Sequence, residues 1–210
     1  MRASFFDLDE TIYDGKSLLE FGVYAGILES PTDPRLFSAD TRSGTNRALA
    51  NKRYYRLWEG LAIEEMVERA EAWASTRRSD PEAFFQPVID ALLAHAQEGF
   101  GIVIVTGSPS IVAEALLREA PIDHILSPVQ EHRGGRYTGN LNKECIGEAK
   151  LERIRDFAKV NEVDLDKSWG YGDDLSDFPM LESVGSPVVV TLAHSKALKS
   201  AESRQWKVIG

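Results

Sequence analysis

Asp7 and Asp9 stand one residue apart at the end of the apolar run Ala3 to Phe6. Side chains alternate along a strand, so the two carboxylates begin on one side of it. Like charges that close repel, and burial raises at least one pKa unless a cation lies between them. Mg²⁺ meets that need, being a hard ion that takes carboxylate and phosphate oxygens. A pair of solvated carboxylates in a turn has the same spacing, so the pair acquires meaning only from what accompanies it.

Three later stretches accompany it. Thr106-Gly107-Ser108 ends the apolar run Gly101 to Val105 and precedes a helical segment from Ser110 to about Glu119. Free N–H groups and hydroxyls at a helix start suit a phosphate, and they suit ordinary N-capping equally. Lys150 falls in the first turn of a helix expected over 147–159, where a cation opposes the helix dipole; a solvated surface lysine is the plain alternative. Asp173, Asp174 and Asp177 form a second acidic cluster after Trp169 to Gly172.

The elements that must position these groups follow from periodicity. Apolar residues at helical spacing run from Ser17 to Leu28 and again from about Thr45 to Ser75, where Tyr54, Trp58 and Leu61 make a core stripe. Five cations and no acid lie between Thr41 and Trp58: Arg42, Arg47, Lys52, Arg53 and Arg56. A solvated helix face explains them as well as a substrate surface does. Asp80 and Pro81 read as N-cap and first residue of a helix reaching Gln97. Short strands are expected at His124 to Leu126, Tyr137 to Leu141 after the Gly134-Gly135 turn, and Pro187 to Thr191. Strands alternating with helices predict a parallel α/β sheet whose ligands sit at the strand C-terminal ends.

The 210 residues, 43% apolar, suffice for one domain with an insertion. A net charge of -9 argues against general nucleic-acid binding. Cys145 is the only cysteine and reads as a small hydrophobe; the four histidines show no metal-ligand spacing. No apolar h-region or run of about 18 apolar residues suggests export or membrane insertion. A cytoplasmic protein, monomeric or homodimeric, is expected.

Taken together, Asp7-x-Asp9-x-Thr11, Thr106, Lys150 and Gly172-Asp173-x-x-x-Asp177 resemble, in order and spacing, the motifs of the haloacid dehalogenase superfamily of phosphatases. The helical stretch between the first two motifs resembles a C1-type cap, as in the phosphoserine phosphatase-like branch. The resemblance implies a Rossmann-like α/β core with helices on both faces over 1–13 and 79–210, and a helical cap over 14–78.

Its functional implications are equally specific. Asp7 would attack phosphorus and form an aspartyl-phosphate, and Asp9 would serve as general acid and then base. Mg²⁺ would be held by Asp7, the Asp9 backbone carbonyl, Asp173 and Asp177. Thr106, Gly107 and Lys150 would bind the phosphoryl group of a small phosphorylated metabolite. Glu10 departs from the pattern, since glycine is common there. A phosphotransferase or mutase on the same scaffold is the alternative; a phospho-accepting receiver domain fits less well, because it lacks a cap-sized insertion and its acceptor lies on a later strand.

For the cap, Lys16 stands where phosphoserine phosphatases carry an acid facing the substrate ammonium, with Glu20 one helical turn later as a replacement. Lys16, Arg53 and Arg56 are therefore the expected substrate-facing cations, favouring a neutral or anionic leaving group over an amino one.

Overall fold

Each apolar run is short, as suits strands buried on both faces of a parallel sheet. In the computed structural model, which describes residues 1–37, 47–191 and 196–210, the strands are β1 (Ala3–Phe6), β2 (Gly101–Val105), β3 (His124–Leu126), β4 (Val129–Arg133), β5 (Arg136–Lys143), β6 (Trp169–Gly172), β7 (Ser186–Val190) and β8 (Lys207–Ile209). Six of them form one sheet in the order β3-β2-β1-β6-β7-β8, every neighbour parallel. β1 lies at its centre beside β2 and β6, so the chain segments carrying Asp7, Thr106 and Asp173 leave the sheet at one edge.

The helices are α1 (Ser17–Tyr24), α2 (Arg47–Arg56), α3 (Ile63–Arg78), α4 (Gln86–Gln97), α5 (Ser110–Leu116), α6 (Glu148–Val160), α7 (Phe178–Leu181) and α8 (Lys196–Ser203). Alternation along β2 assigns them to two layers. Ile102 and Ile104 join one buried cluster with Val88 of α4, Leu116 of α5, Tyr54 of α2 and Trp73 of α3. Val103 and Val105 join the other, with Ile154 of α6, Leu181 of α7 and Ala201 of α8. The expected Rossmann-like sheet with helices on both faces is what forms. Helices α1 to α3 share a buried cluster with α4 and α5 rather than having one of their own. Among the described residues no helix is long and apolar enough to cross a membrane.

Several boundaries differ from the periodicity. The helical pattern expected from Thr45, itself outside the described residues, is two helices. Gly60, at φ +84°, turns the chain between α2 and α3, a conformation open to glycine without a Cβ clash. α1 stops at Tyr24, because the Gly22 carbonyl takes the N–H groups of Ile27 and Leu28. Asp80 does cap a turn, accepting from Glu82 N at 3.0 Å, but that turn is a single 3-10 turn; Phe84 and Phe85 are extended and α4 begins at Gln86.

The strand around Tyr137 lies outside the main sheet, paired antiparallel with β4 in a hairpin. That hairpin seats the α2–α3 corner: Gly60 N donates to Tyr137 O at 2.9 Å, and the Tyr137 ring meets Trp58 edge-on at 5.0 Å. β8 carried no clear sequence signal.

Candidate active site

Asp7 follows β1 directly, and its N–H donates to the Tyr171 carbonyl of β6 at 2.9 Å, which carries the strand ladder one residue beyond the apolar run. The side chain is buried, and its Oδ1 accepts from Lys150 Nζ at 2.5 Å. The same ammonium donates to Asp177 Oδ1 at 2.6 Å. Lys150 is thus buried in the first turn of α6 with two carboxylates around it. Burial opposes its charge, yet Asp177 and Asp7 together hold its pKa above the usual lysine value. The helix-dipole penalty at this position is met by those acids.

Asp9 stands in a different setting. Its Oδ1 accepts from Ser17 N at 2.9 Å and its Oδ2 from Ser108 Oγ at 3.0 Å, with the two serine hydroxyls 2.9 Å apart. Burial raises its pKa, against those neutral donors. Asp7 is pushed up to about 7 by burial, then by Asp177 and Asp9, against the pull of Lys150. Between the two acids and the next turn, Glu10 adopts φ +62°, the left-handed conformation that glycine takes most readily. Its carboxylate pairs with Lys16.

The second acidic loop is shaped by its glycine. A Cβ on Gly172 would lie 2.7 Å from the Asp177 Cβ, so only glycine lets the loop fold back this tightly. Asp177 Oδ2 accepts from Asp174 N at 3.2 Å, closing a reciprocal capping box. Thr11 Oγ1 donates to Asp173 Oδ1 at 3.3 Å. Burial, then Asp7 and Asp177, raise Asp173 to about 8.

One carboxylate oxygen each from Asp7, Asp173 and Asp177 lie within 4.8 Å of one another. Lys150 pairs with two of the three acids, Asp7 and Asp177, while burial and mutual repulsion raise the pKa of Asp7 and Asp173, a repulsion that a bound cation would relieve. A hard divalent cation fits that charge and that all-oxygen donor set, and Mg²⁺ is such an ion. Asp9 is not part of this cluster; its side chain is turned to the two serines.

Thr106 is buried after β2, and its hydroxyl accepts from Ser108 N at 3.0 Å. The Gly107 carbonyl accepts from Asn51 Nδ2 and Tyr55 Oη of α2, both at 2.9 Å. A cavity of about 240 Å³ joins these parts; Asp7, Asp9, Lys16, Thr106, Gly107, Lys150, Asp173 and Asp177 all border it.

Arg53 and Arg56 do not border it. Arg53 Nη1 donates to Leu36 O at 3.3 Å and Arg56 Nη1 to Asn140 Oδ1 at 2.6 Å, and both edge a separate groove beside β5. Three residues apart, they share the hairpin side of α2, whereas Arg47 and Asn51, four apart, share the cavity side. Arg47 Nη1 pairs with Asp174 Oδ1 at 2.5 Å. Arg42 lies outside the described residues.

Glu20 is not available to replace an acid at Lys16. It accepts from Tyr13 Oη at 2.5 Å and Lys16 N at 3.1 Å, and pairs with Arg77 at 3.3 Å. Cys145 is buried, with its thiol pushed up to about 12 by burial, in keeping with an inert small hydrophobe. His194 lies outside the described residues. Ser17 and Asn51 carried no motif that singles them out; a serine opening a helix and an asparagine inside one are common without chemistry.

A family model described as haloacid dehalogenase-like hydrolase matches residues 4–182. A probable phosphatase of Mycobacterium tuberculosis is 30% identical over 125 residues, which cover 60% of this chain and 43% of that protein, so the match spans less than half of the relative. A phosphoserine phosphatase of the same organism is 24% identical over 217 residues, covering 98% of this chain and 70% of that protein. The crystal structure of a protein of unknown function from Bordetella pertussis Tohama I overlays with a TM-score of 0.82 at 24% identity, over 100% of this chain and 98% of that one. At that identity the likeness is one of fold.

Proposed function

The chain belongs to the haloacid dehalogenase-like hydrolase family, and from that premise we propose that it is a Mg²⁺-dependent phosphatase that hydrolyses a small phosphomonoester through an aspartyl-phosphate. Its substrate is a phosphorylated metabolite of the cytoplasm, handled by a monomer or homodimer. Residues 14–78, with the hairpin β4–β5 behind them, serve as the cap over a core of 1–13 and 79–210.

The observation that carries this function is the unequal setting of two neighbouring carboxylates. Asp7 accepts from the Lys150 ammonium, whereas Asp9 accepts from the Ser17 N–H and the Ser108 hydroxyl, while burial raises the pKa of both. Environments that separate two acids in this way assign their roles as nucleophile and proton donor. An Asp7 oxygen attacks phosphorus as the bond from phosphorus to the ester oxygen breaks, and the Asp9 proton passes to the departing alkoxide. Asp9, now ionised, takes a proton from the water that attacks the aspartyl-phosphate. Asp7 is regenerated and inorganic phosphate leaves.

Thr106, the Gly107 loop and Lys150 hold the phosphoryl oxygens, where positioning and charge stabilisation dominate the barrier. A Mg²⁺ ion held by Asp7, Asp173, Asp177 and the Asp9 carbonyl would supply the positive charge that offsets the phosphoryl group.

The test is phosphate release from a panel of phosphomonoesters with and without Mg²⁺, repeated with an added alcohol. Mg²⁺-dependent release of inorganic phosphate is expected. Transfer to the alcohol without net release would favour a phosphotransferase instead, and no turnover of any ester would overturn the proposal.

A further inference from the structure

Beyond the acids, Thr106 and Lys150, the cavity is walled by Leu18, Leu19, Leu36, Phe37, Ala50 and Ile146. All of these but Leu36 are only half-buried, so apolar surface that core packing leaves uncovered borders the cavity. The polar side chains beside that wall are already engaged. Lys16 pairs with Glu10, and Arg47 pairs with Asp174 and donates to Ser176 Oγ. Ser108 Oγ donates to Asp9 and lies 2.9 Å from Ser17 Oγ. Asn51 spends its amide nitrogen on the Gly107 carbonyl, and its oxygen is buried away from solvent. A charged or strongly hydrated leaving group would shed its water against this wall, and both cations there are balanced by carboxylates. An apolar one would cover the wall, and covering apolar surface is the main driving force of most association.

We propose that the substrate is the phosphomonoester of an uncharged, apolar alcohol whose carbon body lies against this wall. The inference rests on the phosphatase function proposed above and names the substrate class of that same site. Size sets the length of that body. An apolar cavity of about 150 Å³ holds a benzene molecule. The cavity of about 240 Å³ therefore has room for the phosphoryl group and an apolar body of about six carbons. Ala50 borders the cavity from α2 beside Arg47 and Asn51, three and one residues away, and its small side chain leaves that room open.

The experiment measures phosphate release from ethyl, butyl and hexyl phosphate and from their hydroxyl-ended counterparts, with Mg²⁺ present. The simple alcohols differ little in acidity, so differences among them report binding rather than intrinsic reactivity. Turnover of p-nitrophenyl phosphate reports separately on the phosphatase function; its absence, together with no release from any ester, overturns both. With turnover present, each fully covered methylene is worth about fourfold, so hexyl phosphate is expected to exceed ethyl phosphate by at least about tenfold in kcat/KM, mainly through KM. Each alkyl ester should also exceed its hydroxyl-ended counterpart. Ala50→Leu places three more carbons on the cavity side of α2 at little cost in helix propensity. That variant should lower the hexyl-to-ethyl ratio by at least about fivefold, as about one buried methylene or more is displaced. Equal kcat/KM for ethyl and hexyl phosphate in the wild type, hydroxyl-ended esters that match or exceed the alkyl ones, or an undiminished ratio in Ala50→Leu would overturn the inference. Should the variant fail to fold, the wild-type ratios decide.

Discussion

Lys150 Nζ stands 2.5 Å from Asp7 Oδ1 although 143 residues separate them in the chain. With Asp177 on its other side, the ammonium is the balancing charge of a buried acidic cluster. Removing one member of a buried charged set costs about 3–5 kcal/mol. Lys150→Ala is therefore expected to lose stability of that order in metal-free buffer, and to regain part of it with Mg²⁺. Urea unfolding with and without the ion measures this; an unchanged midpoint would remove Lys150 from that role.

Asp7→Asn keeps the shape of the side chain and its place beside Lys150 but is a far poorer nucleophile. Turnover should fall by several orders of magnitude with circular dichroism unchanged, since loss of a covalent nucleophile costs on the order of 10⁶ in kcat in a serine protease. Wild-type-like activity in the Asn variant would refute the assignment.

Mg²⁺ should raise the melting temperature of the wild-type protein, because an ion bound only by the folded state stabilises it by mass action, about 2.7 kcal/mol at a hundredfold excess over Kd. Asp173→Asn removes one of the three clustered carboxylates and should abolish most of that shift. A shift preserved in the variant would locate the ion elsewhere.

His95 is buried under β6, its Nε2 2.8 Å from Tyr171 Oη, and burial lowers its pKa below the usual 6.5. The unfolded chain then binds the proton more readily, so the stability present above that value is lost as pH falls through it. The raised pKa values of Asp7 and Asp173 act in the opposite sense. The readout is therefore the difference between wild type and His95→Gln in melting temperature from about pH 8 to about pH 5. The wild type should lose more; parallel curves would show that His95 does not titrate with unfolding.

Phosphoserine should be turned over at least about tenfold less efficiently than the best ester with a neutral leaving group, since like charges juxtaposed in a closed site cost several kcal/mol. Lys16 borders the cavity, its partner Glu10 blunts rather than reverses the local charge, and Glu20 is engaged by Tyr13 and Arg77. Lys16→Glu should shift the ratio toward phosphoserine. Phosphoserine matching the best ester in the wild type would refute this.

The strand ends, and with them the family, were legible because chemistry demands particular residue types there. Asp7-x-Asp9, Thr106-Gly107-Ser108 and the acids after Trp169 to Gly172 each close an apolar run, and a parallel sheet collects such ends on one edge. Lys150 was legible as a charge at the wrong end of a helix. Boundaries were less so: helical periodicity runs unbroken from α2 to α3, and the break at Gly60 depends on the hairpin that receives the corner.

The sequence by itself determined which strand ends carry the acids and the hydroxyl and which helix carries the lysine, because those elements are short-range and their order sets the sheet. Only the tertiary structure decided which side of α2 meets the cavity. The helical period puts Arg53 with Arg56, and Arg47 with Asn51, but cannot say which pair looks inward. That choice is made by the bonds of Asn51 and Tyr55 to the Gly107 carbonyl and by Trp58 packing on Tyr137, contacts between segments more than 50 residues apart that no local pattern encodes.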